Sequence, residues 1–245
     1  MKLQTKLRGY LLLLIFSSFL FCTSYQKNQT GKLKIIVSYC KYDNKDLFIK
    51  KATIYKDGTE FKKIDFEYSQ DNVISNLPFG KYTIKYKSIF NILESIDFVI
   101  YEQKEKEITL CVDKINYSDN KNILLLDKLK IGESLDFLFI SKGCFDIHRG
   151  KLTITRNSTK KYKATINNFE FDITDRQYQS IREFEIELHC NHASDCSTVD
   201  TYKVINKNSL ESYSIEDGSC RWRGFDNLIE KLNIKEKLLH QNDEI

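Results

Sequence analysis

Four residues able to ligate a metal fall within HCNHASDC, residues 189–196: His189, Cys190, His192 and Cys196. A second cysteine–histidine pair lies in GCFDIHRGK, residues 143–151, where Cys144 precedes His148 between Gly143 and Gly150. Three chemistries could use these side chains. Thiolate and imidazole suit a tetrahedral zinc ion, which wants four such ligands. His189, Cys190, His192 and Cys196 are the candidates, but the spacing is poor: there is no C-x-x-C pair, and five residues separate Cys190 from Cys196. A thiol enzyme would activate Cys144 with His148, His189 or His192. Closeness in sequence does not support that pairing, because catalytic pairs meet in space. The third chemistry is disulfide formation, which needs only an oxidising compartment and an even count.

The amino terminus bears on the compartment. Lys2, Lys6 and Arg8 precede YLLLLIFSSFLFC, residues 10–22, which is uncharged and apolar. A basic start before a short apolar run is the pattern of a secretory signal, and the run is shorter than the about 20 residues a spanning helix needs. Residues 1–24 are therefore expected to be a signal peptide. Leu20-Phe21-Cys22 partly resembles a bacterial lipoprotein signal, in which Cys22 would carry the lipid anchor; Phe21 departs from the small residue usual before that cysteine. Ordinary cleavage after Cys22-Thr23-Ser24 is the alternative. Residues 25–31 then form a polar tether. Setting Cys22 aside leaves six of the seven cysteines, namely Cys40, Cys111, Cys144, Cys190, Cys196 and Cys220, as a disulfide framework. The chain is expected in the periplasm, on an outer membrane surface or outside the cell.

Composition excludes some functions. A hydrophobic fraction of 41% supports real cores. Without Lys2, Lys6 and Arg8, 35 of the 38 basic residues remain against 34 acids, so no nucleic-acid footprint is expected. There is no G-x-S-x-G, no H-E-x-x-H and no glycine-rich phosphate loop. Acidic neighbours such as Glu183 and Glu185, or Asp195 and Asp200, read as surface charge. Asn28, Asn116 and Asn157 head glycosylation-type tripeptides, which matter only on a eukaryotic secretory route.

From residue 32 to about 115 short alternating runs lie between turn signals, the pattern of an antiparallel β-sandwich. Asp57-Gly58 suits a tight hairpin. Pro78 and Gly80 suit the second and fourth positions of a turn. Tyr82, Ile84 and Tyr86 alternate with lysines and a threonine, one buried face and one wet. Ala52-Thr53-Ile54-Tyr55 before Lys56-Asp57-Gly58, then Asn76-Leu77-Pro78-Phe79-Gly80-Lys81-Tyr82, resembles the carboxypeptidase regulatory-like, or prealbumin-like, sandwich family. The resemblance covers roughly residues 32–113. It implies a non-catalytic module of exported or surface proteins and no particular binding site; the glycine-rich opening of the family is not clear here. First and last strands often lie side by side in a sandwich, so Cys40 is expected to bridge Cys111.

Residues 116–245 read as an α+β domain with two helices. NILLLDKLKIGESLDFLFISKG suggests two strands around Ile131-Gly132, and residues 151–157 and 161–167 a hairpin. Thr174 and Gln177 form a capping box for a helix over 173–189, with Tyr178, Ile181, Phe184 and Leu188 on one face. Strands at STVDTYKVI and ESYSIEDG precede an amphipathic closing helix over GFDNLIEKLNIKEKLL. Among the four cysteines of this half the expected pairs are Cys144 with Cys196 or Cys190, and Cys220 with the other. Gly143 and Gly150 would serve turns. Arg221-Trp222-Arg223 either grips a glycan or an anion or packs half-buried beside a disulfide.

The sequence thus describes a mostly β, exported, envelope-associated protein that binds or scaffolds. No cofactor is expected. Its partner would be a protein or glycan at the cell surface, with membrane contact only through Cys22. The alternative is a secreted metal- or thiol-dependent hydrolase built on His189–Cys196.

Overall fold

The computed structural model describes residues 29–42, 49–66, 71–118, 124–190 and 196–234; Cys22, the signal segment, His192 and Asp195 lie outside them. The chain is mostly β. Seven strands form the first half: β1 (Thr30–Ser38), β2 (Lys51–Lys56), β3 (Thr59–Asp65), β4 (Asp71–Pro78), β5 (Gly80–Lys87), β6 (Leu93–Ile100) and β7 (Glu105–Cys111). They divide into a sheet of order β4-β1-β7 and a sheet of order β3-β2-β5-β6. Alternation on β5 buries Tyr82, Ile84 and Tyr86, and the first sheet answers with Leu33, Ile35 and Leu110. The β2–β3 hairpin turns at Asp57 and Gly58, both at positive φ (49° and 83°), which an Asp-Gly pair tolerates. At Pro78-Phe79-Gly80 the chain crosses from one sheet to the other, and the Tyr82 hydroxyl donates to the Pro78 carbonyl.

The sandwich is not wholly antiparallel: β1 and β7 run parallel, with Ser38 opposite Cys111. Parallel neighbours require a long connection, and here the connection is the rest of the sandwich. That pairing brings Cys40 to Cys111, and the expected bridge between them is formed.

The second half is one six-stranded antiparallel sheet of order β11-β10-β9-β8-β12-β13. Its strands are β8 (Ser134–Lys142), β9 (Ile147–Ser158), β10 (Lys161–Ile166), β11 (Phe169–Asp172), β12 (Val199–Asn206) and β13 (Ser212–Asp217). Two helices pack on it, α2 (Asp175–Leu188) and α3 (Gly224–Lys231), after a short α1 (Leu125–Lys128). Phe137 of β8 meets Phe184 of α2 and Phe139 of β8 stacks on Phe225 of α3, with ring centroids 5.8 and 5.1 Å apart. The capping box at the start of α2 is made in both directions between Thr174 and Gln177. Helix α3 ends earlier than its apolar pattern suggests, because Asn233 adopts φ 55°, a left-handed stop. Gly150 is not in a turn. It lies within β9, where a Cβ would stand 2.5 Å from the Phe225 ring, so the missing side chain lets α3 rest on the sheet.

The strand expected before Ile131-Gly132 is instead α1, a third helix among the described residues. Its cause lies sixty residues away. Glu185 of α2 is fully buried and accepts the backbone amides of Leu125 (2.6 Å) and Leu126 (3.1 Å) and the Tyr213 hydroxyl (3.2 Å). The carboxylate thus satisfies amide donors at the start of the helix that would otherwise be buried without partners. Burial nevertheless dominates and pushes the Glu185 carboxyl up to about 7, against the lowering effect of those hydrogen bonds. Between the ordinary carboxyl pKa of about 4.5 and about 7 the folded chain therefore holds a proton that the unfolded chain has released. Stability from this group is complete at the acid end of that window and is lost as pH rises through it, by up to roughly 1 kcal/mol per pH unit. Urea unfolding from pH 5 to 7.5 is expected to show this decline in the wild type and a flatter profile in Glu185→Gln; equal slopes would contradict it.

The sheets divide near residue 115, but the buried side chains do not. One contiguous core runs from Leu33 to Ile234 through both halves, and Phe90 of the sandwich meets Trp222 of the second half edge-on at 6.3 Å.

Candidate functional site

The cysteine–histidine set does not assemble. Cys196 is bridged to Cys220, while Cys144 and Cys190 are free thiols, which overturns the expected pairing of Cys144 with Cys196 or Cys190. The reason is positional. Cys144 sits exposed at the tip of the β8–β9 hairpin, closed by the Gly143 amide on the Asp146 carbonyl, whereas Cys190 is half-buried just past α2. The Cys190 thiol donates to the Ile186 carbonyl at 3.7 Å, and burial pushes it up to about 12, so it is not a ready thiolate. His189 packs on the Tyr213 ring at 4.5 Å, and burial lowers its pKa. With the Cys196 sulfur used in a bridge, the four-ligand zinc set of His189, Cys190, His192 and Cys196 is not available. Among the described residues no other group of three or more such side chains converges.

His148 takes a different place from the one beside Cys144 in the sequence. It lies directly opposite Ser141 of β8, which lies opposite Asp200 of β12, which lies opposite Asp217 of β13. Directly opposed residues share a face of the sheet. The row His148–Ser141–Asp200 lines a cavity of about 260 Å³ with Tyr202, Arg223 and Asp226. The order is wrong for a serine triad, in which histidine must stand between the nucleophile and the acid. Here the serine stands between the other two. Burial raises the Asp200 carboxyl above its ordinary range, and its Oδ1 is buried with no hydrogen-bond partner in the protein.

The acids read as surface charge are the larger surprise. Glu187 is 1% exposed and sits where the two halves meet. Its Oε2 accepts from Trp222 Nε1 at 2.8 Å, and its Oε1 accepts from the Tyr117 hydroxyl at 2.6 Å, from the Tyr42 hydroxyl and from Lys41 Nζ at 3.1 Å. Lys41 also pairs with Glu183 at 2.8 Å. Burial and the adjoining carboxylates push both tyrosine hydroxyls far above their usual range. Lys231 lies over the Tyr42 ring, its pKa lowered to about 8 by burial and then by Lys41. Asp113, 2% exposed at the end of β7, accepts the successive amides of Cys40, Lys41 and Tyr42 at 2.8 to 3.0 Å. The Cys40–Cys111 bridge and Asp113 thus aim Lys41 and Tyr42 at Glu187. This network joins the halves and leaves no donor of Trp222 for a ligand. Trp222 is 1% exposed, so the surface grip considered for Arg221-Trp222-Arg223 does not exist.

A further cavity lies at the edge of the same junction. It measures about 470 Å³, within the range of roughly 300–1,000 Å³ usual for small-ligand sites. Strand β2 contributes Lys51, Ala52 and Thr53, strand β5 contributes Lys85, Tyr86 and Lys87, and Lys50, Ser88, Ile89, Asn91 and Leu93 complete the sandwich side. Arg221 reaches in from the second half. Among the described residues that line it, five are cationic and none is acidic. The lysines that alternate along β5 read in sequence only as a solvated face. Lys50 carried no signal, and Arg221 was noted only as part of Arg221-Trp222-Arg223. Compared with protein-family models and with curated proteins, the chain matches none.

Proposed function

We propose that this chain is an exported, envelope-associated, non-catalytic binding protein whose ligand is an anion seated in the cavity between the sandwich and Arg221. The observation that carries the reading is the lining: Lys50, Lys51, Lys85, Lys87 and Arg221, without an acid among the described residues. A cleft lined by one sign of charge with low-dielectric walls concentrates ligands of the other sign. The two disulfides support an oxidising compartment, and among the described residues no helix is long and apolar enough to cross a membrane. In this reading the first half acts as a carboxypeptidase regulatory-like module, and attachment to the envelope runs through Cys22.

Charge reversal tests the seat. Lys51 and Lys87 are exposed, so Lys51→Glu with Lys87→Glu is expected to leave the unfolding midpoint nearly unchanged. The pair is expected to weaken binding of small anionic ligands at low salt by tenfold or more, and raised salt should weaken the wild type in the same direction. Calorimetric titration of wild type and variant against one set of anions reads both. Equal affinity for the two proteins would remove the cavity as the seat.

A further inference from the structure

We propose that the tip of the β8–β9 hairpin docks on a membrane surface bearing anionic lipids, with Phe145 entering the headgroup region and Lys142 and Arg149 set against lipid phosphates. The contact is separate from the anion seat and adds to the anchor expected at Cys22.

Residues 143–146 join β8 to β9, and the Gly143 amide closes the turn on the Asp146 carbonyl at 3.0 Å. Turns of this kind are ordinarily built from glycine and small polar residues. This one carries Cys144 and Phe145, with Ile147 directly after it. Phe145 is 99% exposed and Ile147 55%, and Cys144 is an exposed free thiol. The Phe145 ring touches almost nothing of its own chain, so packing within the fold does not account for it. Single exposed apolar residues are ordinary on any surface, and Leu210, 78% exposed, is one. Cys144, Phe145 and Ile147 together, on a closed turn, form an apolar point.

The surroundings of that point are cationic. Lys142 lies directly opposite Ile147, and Arg149 lies opposite Ile140. Opposed residues, and residues two apart on a strand, share a sheet face. Ile147 therefore has Lys142 across from it and Arg149 behind it on one face. Both cations are exposed, and neither is in an ion pair among the described residues; Lys151, further back, is taken by Asp136 at 2.9 Å. Two residues of strand span about 7 Å, so Arg149 stands behind Ile147 by the depth to which an interfacial side chain enters, roughly 5–10 Å. An apolar point with cations behind it matches the layering of an anionic bilayer surface, where lipid phosphates lie above the acyl boundary. Asp146, the one acid of residues 142–151, is exposed; its carboxylate holds the tip at headgroup depth and out of the hydrocarbon. A protein partner fits the tip less well. A stable protein interface takes about 800 Å² from each side, and the exposed apolar residues of this turn are Cys144, Phe145 and Ile147 alone. A bilayer needs no matching pocket.

The test uses the full mature chain produced without acylation and with its thiols reduced, so that neither Cys22 nor cross-linking through Cys144 holds it to a vesicle. The protein is expected to sediment with vesicles of phosphatidylcholine and phosphatidylglycerol, and to bind vesicles of phosphatidylcholine alone about tenfold or more weakly. Phe145→Ser is expected to weaken binding to the mixed vesicles about tenfold or more with its unfolding midpoint unchanged. Lys142→Glu with Arg149→Glu is expected to abolish the preference for phosphatidylglycerol. Leu210→Ser, also at an exposed apolar position but between β12 and β13, is expected to bind like the wild type. In Phe145→Trp the new indole should shift to the blue on addition of mixed vesicles and be quenched by lipids brominated high on the acyl chain; Trp222, 1% exposed, should not respond. Absence of vesicle binding, or binding that survives Phe145→Ser, overturns the assignment. So does a dimer in sedimentation velocity that Phe145→Ser dissolves, since the tip would then join two copies. If Lys51→Glu with Lys87→Glu loses the vesicles while Phe145→Ser keeps them, the lipid sits at the anion seat and the tip is not the contact.

Discussion

Replacing Glu187 with alanine is expected to cost about 3–5 kcal/mol of unfolding free energy, the scale of removing one partner from a buried ionic cluster. Among the described residues four donors converge on this carboxylate: Trp222 Nε1, the Tyr42 and Tyr117 hydroxyls, and Lys41 Nζ. Alanine leaves the indole N–H buried and unsatisfied and deprives Lys41 of one of its two acidic partners, Glu183 being the other. It also opens a cavity beside Trp222, the largest fully buried side chain. Glu187→Gln separates these contributions. The amide oxygen can still accept from Trp222, but the charge opposite Lys41 is gone, so an intermediate loss is expected. Because the donors come from both halves, urea unfolding of Glu187→Ala followed by tryptophan fluorescence and by circular dichroism should show both halves weakened together. A loss under 1 kcal/mol, or a loss confined to the second half, would contradict the role assigned to this residue.

Removing the Cys40–Cys111 bridge as the double alanine variant is expected to cost about 4 kcal/mol, the chain-entropy value for the 71-residue separation it closes. Cys40 begins the segment whose amides bind Asp113 and whose next two residues, Lys41 and Tyr42, bind Glu187. Releasing the bridge therefore loosens the segment that supplies two of the four donors. The two perturbations should not add: Cys40→Ala/Cys111→Ala with Glu187→Ala is expected to cost less than the sum of the separate losses, because each removes part of what the other held. Strict additivity would show that the bridge and the carboxylate act independently. Opening Cys196–Cys220, with a separation of 24, is expected to cost less on the same argument.

The local devices of this fold were open to reading because short-range chemistry determines them. Asp57-Gly58 tolerates the positive φ of its hairpin, Thr174 and Gln177 cap the helix that follows them, and alternation on β5 decides which of its residues are buried. The Cys40–Cys111 bridge was legible for a related reason: first and last strands of a sandwich lie side by side, whatever their direction. Pairing in the second half was not, since four cysteines allow three connectivities, and the fold brings together only Cys196 and Cys220 while leaving Cys144 and Cys190 free. The acids of α2 misled because charge normally marks the wet face. Glu185 and Glu187 fall three or four residues from Ile181 and Phe184, on the same side of the helix. Whether such a carboxylate is buried depends on donors that arrive from Leu125, Tyr117 and Trp222, distant in sequence. The cavity belongs to the same class. Its lysines alternate like those of any solvated strand, and only the fold sets Arg221 against them. By itself the sequence determined a mostly β chain, where several of its turns and caps fall, and the Cys40–Cys111 bridge; the six-cysteine framework it suggested is only two-thirds realised, because Cys144 and Cys190 stay free. Tertiary structure decided which charges are buried, which sulfurs meet and where a ligand can sit, because each depends on groups that come together only once the chain has folded.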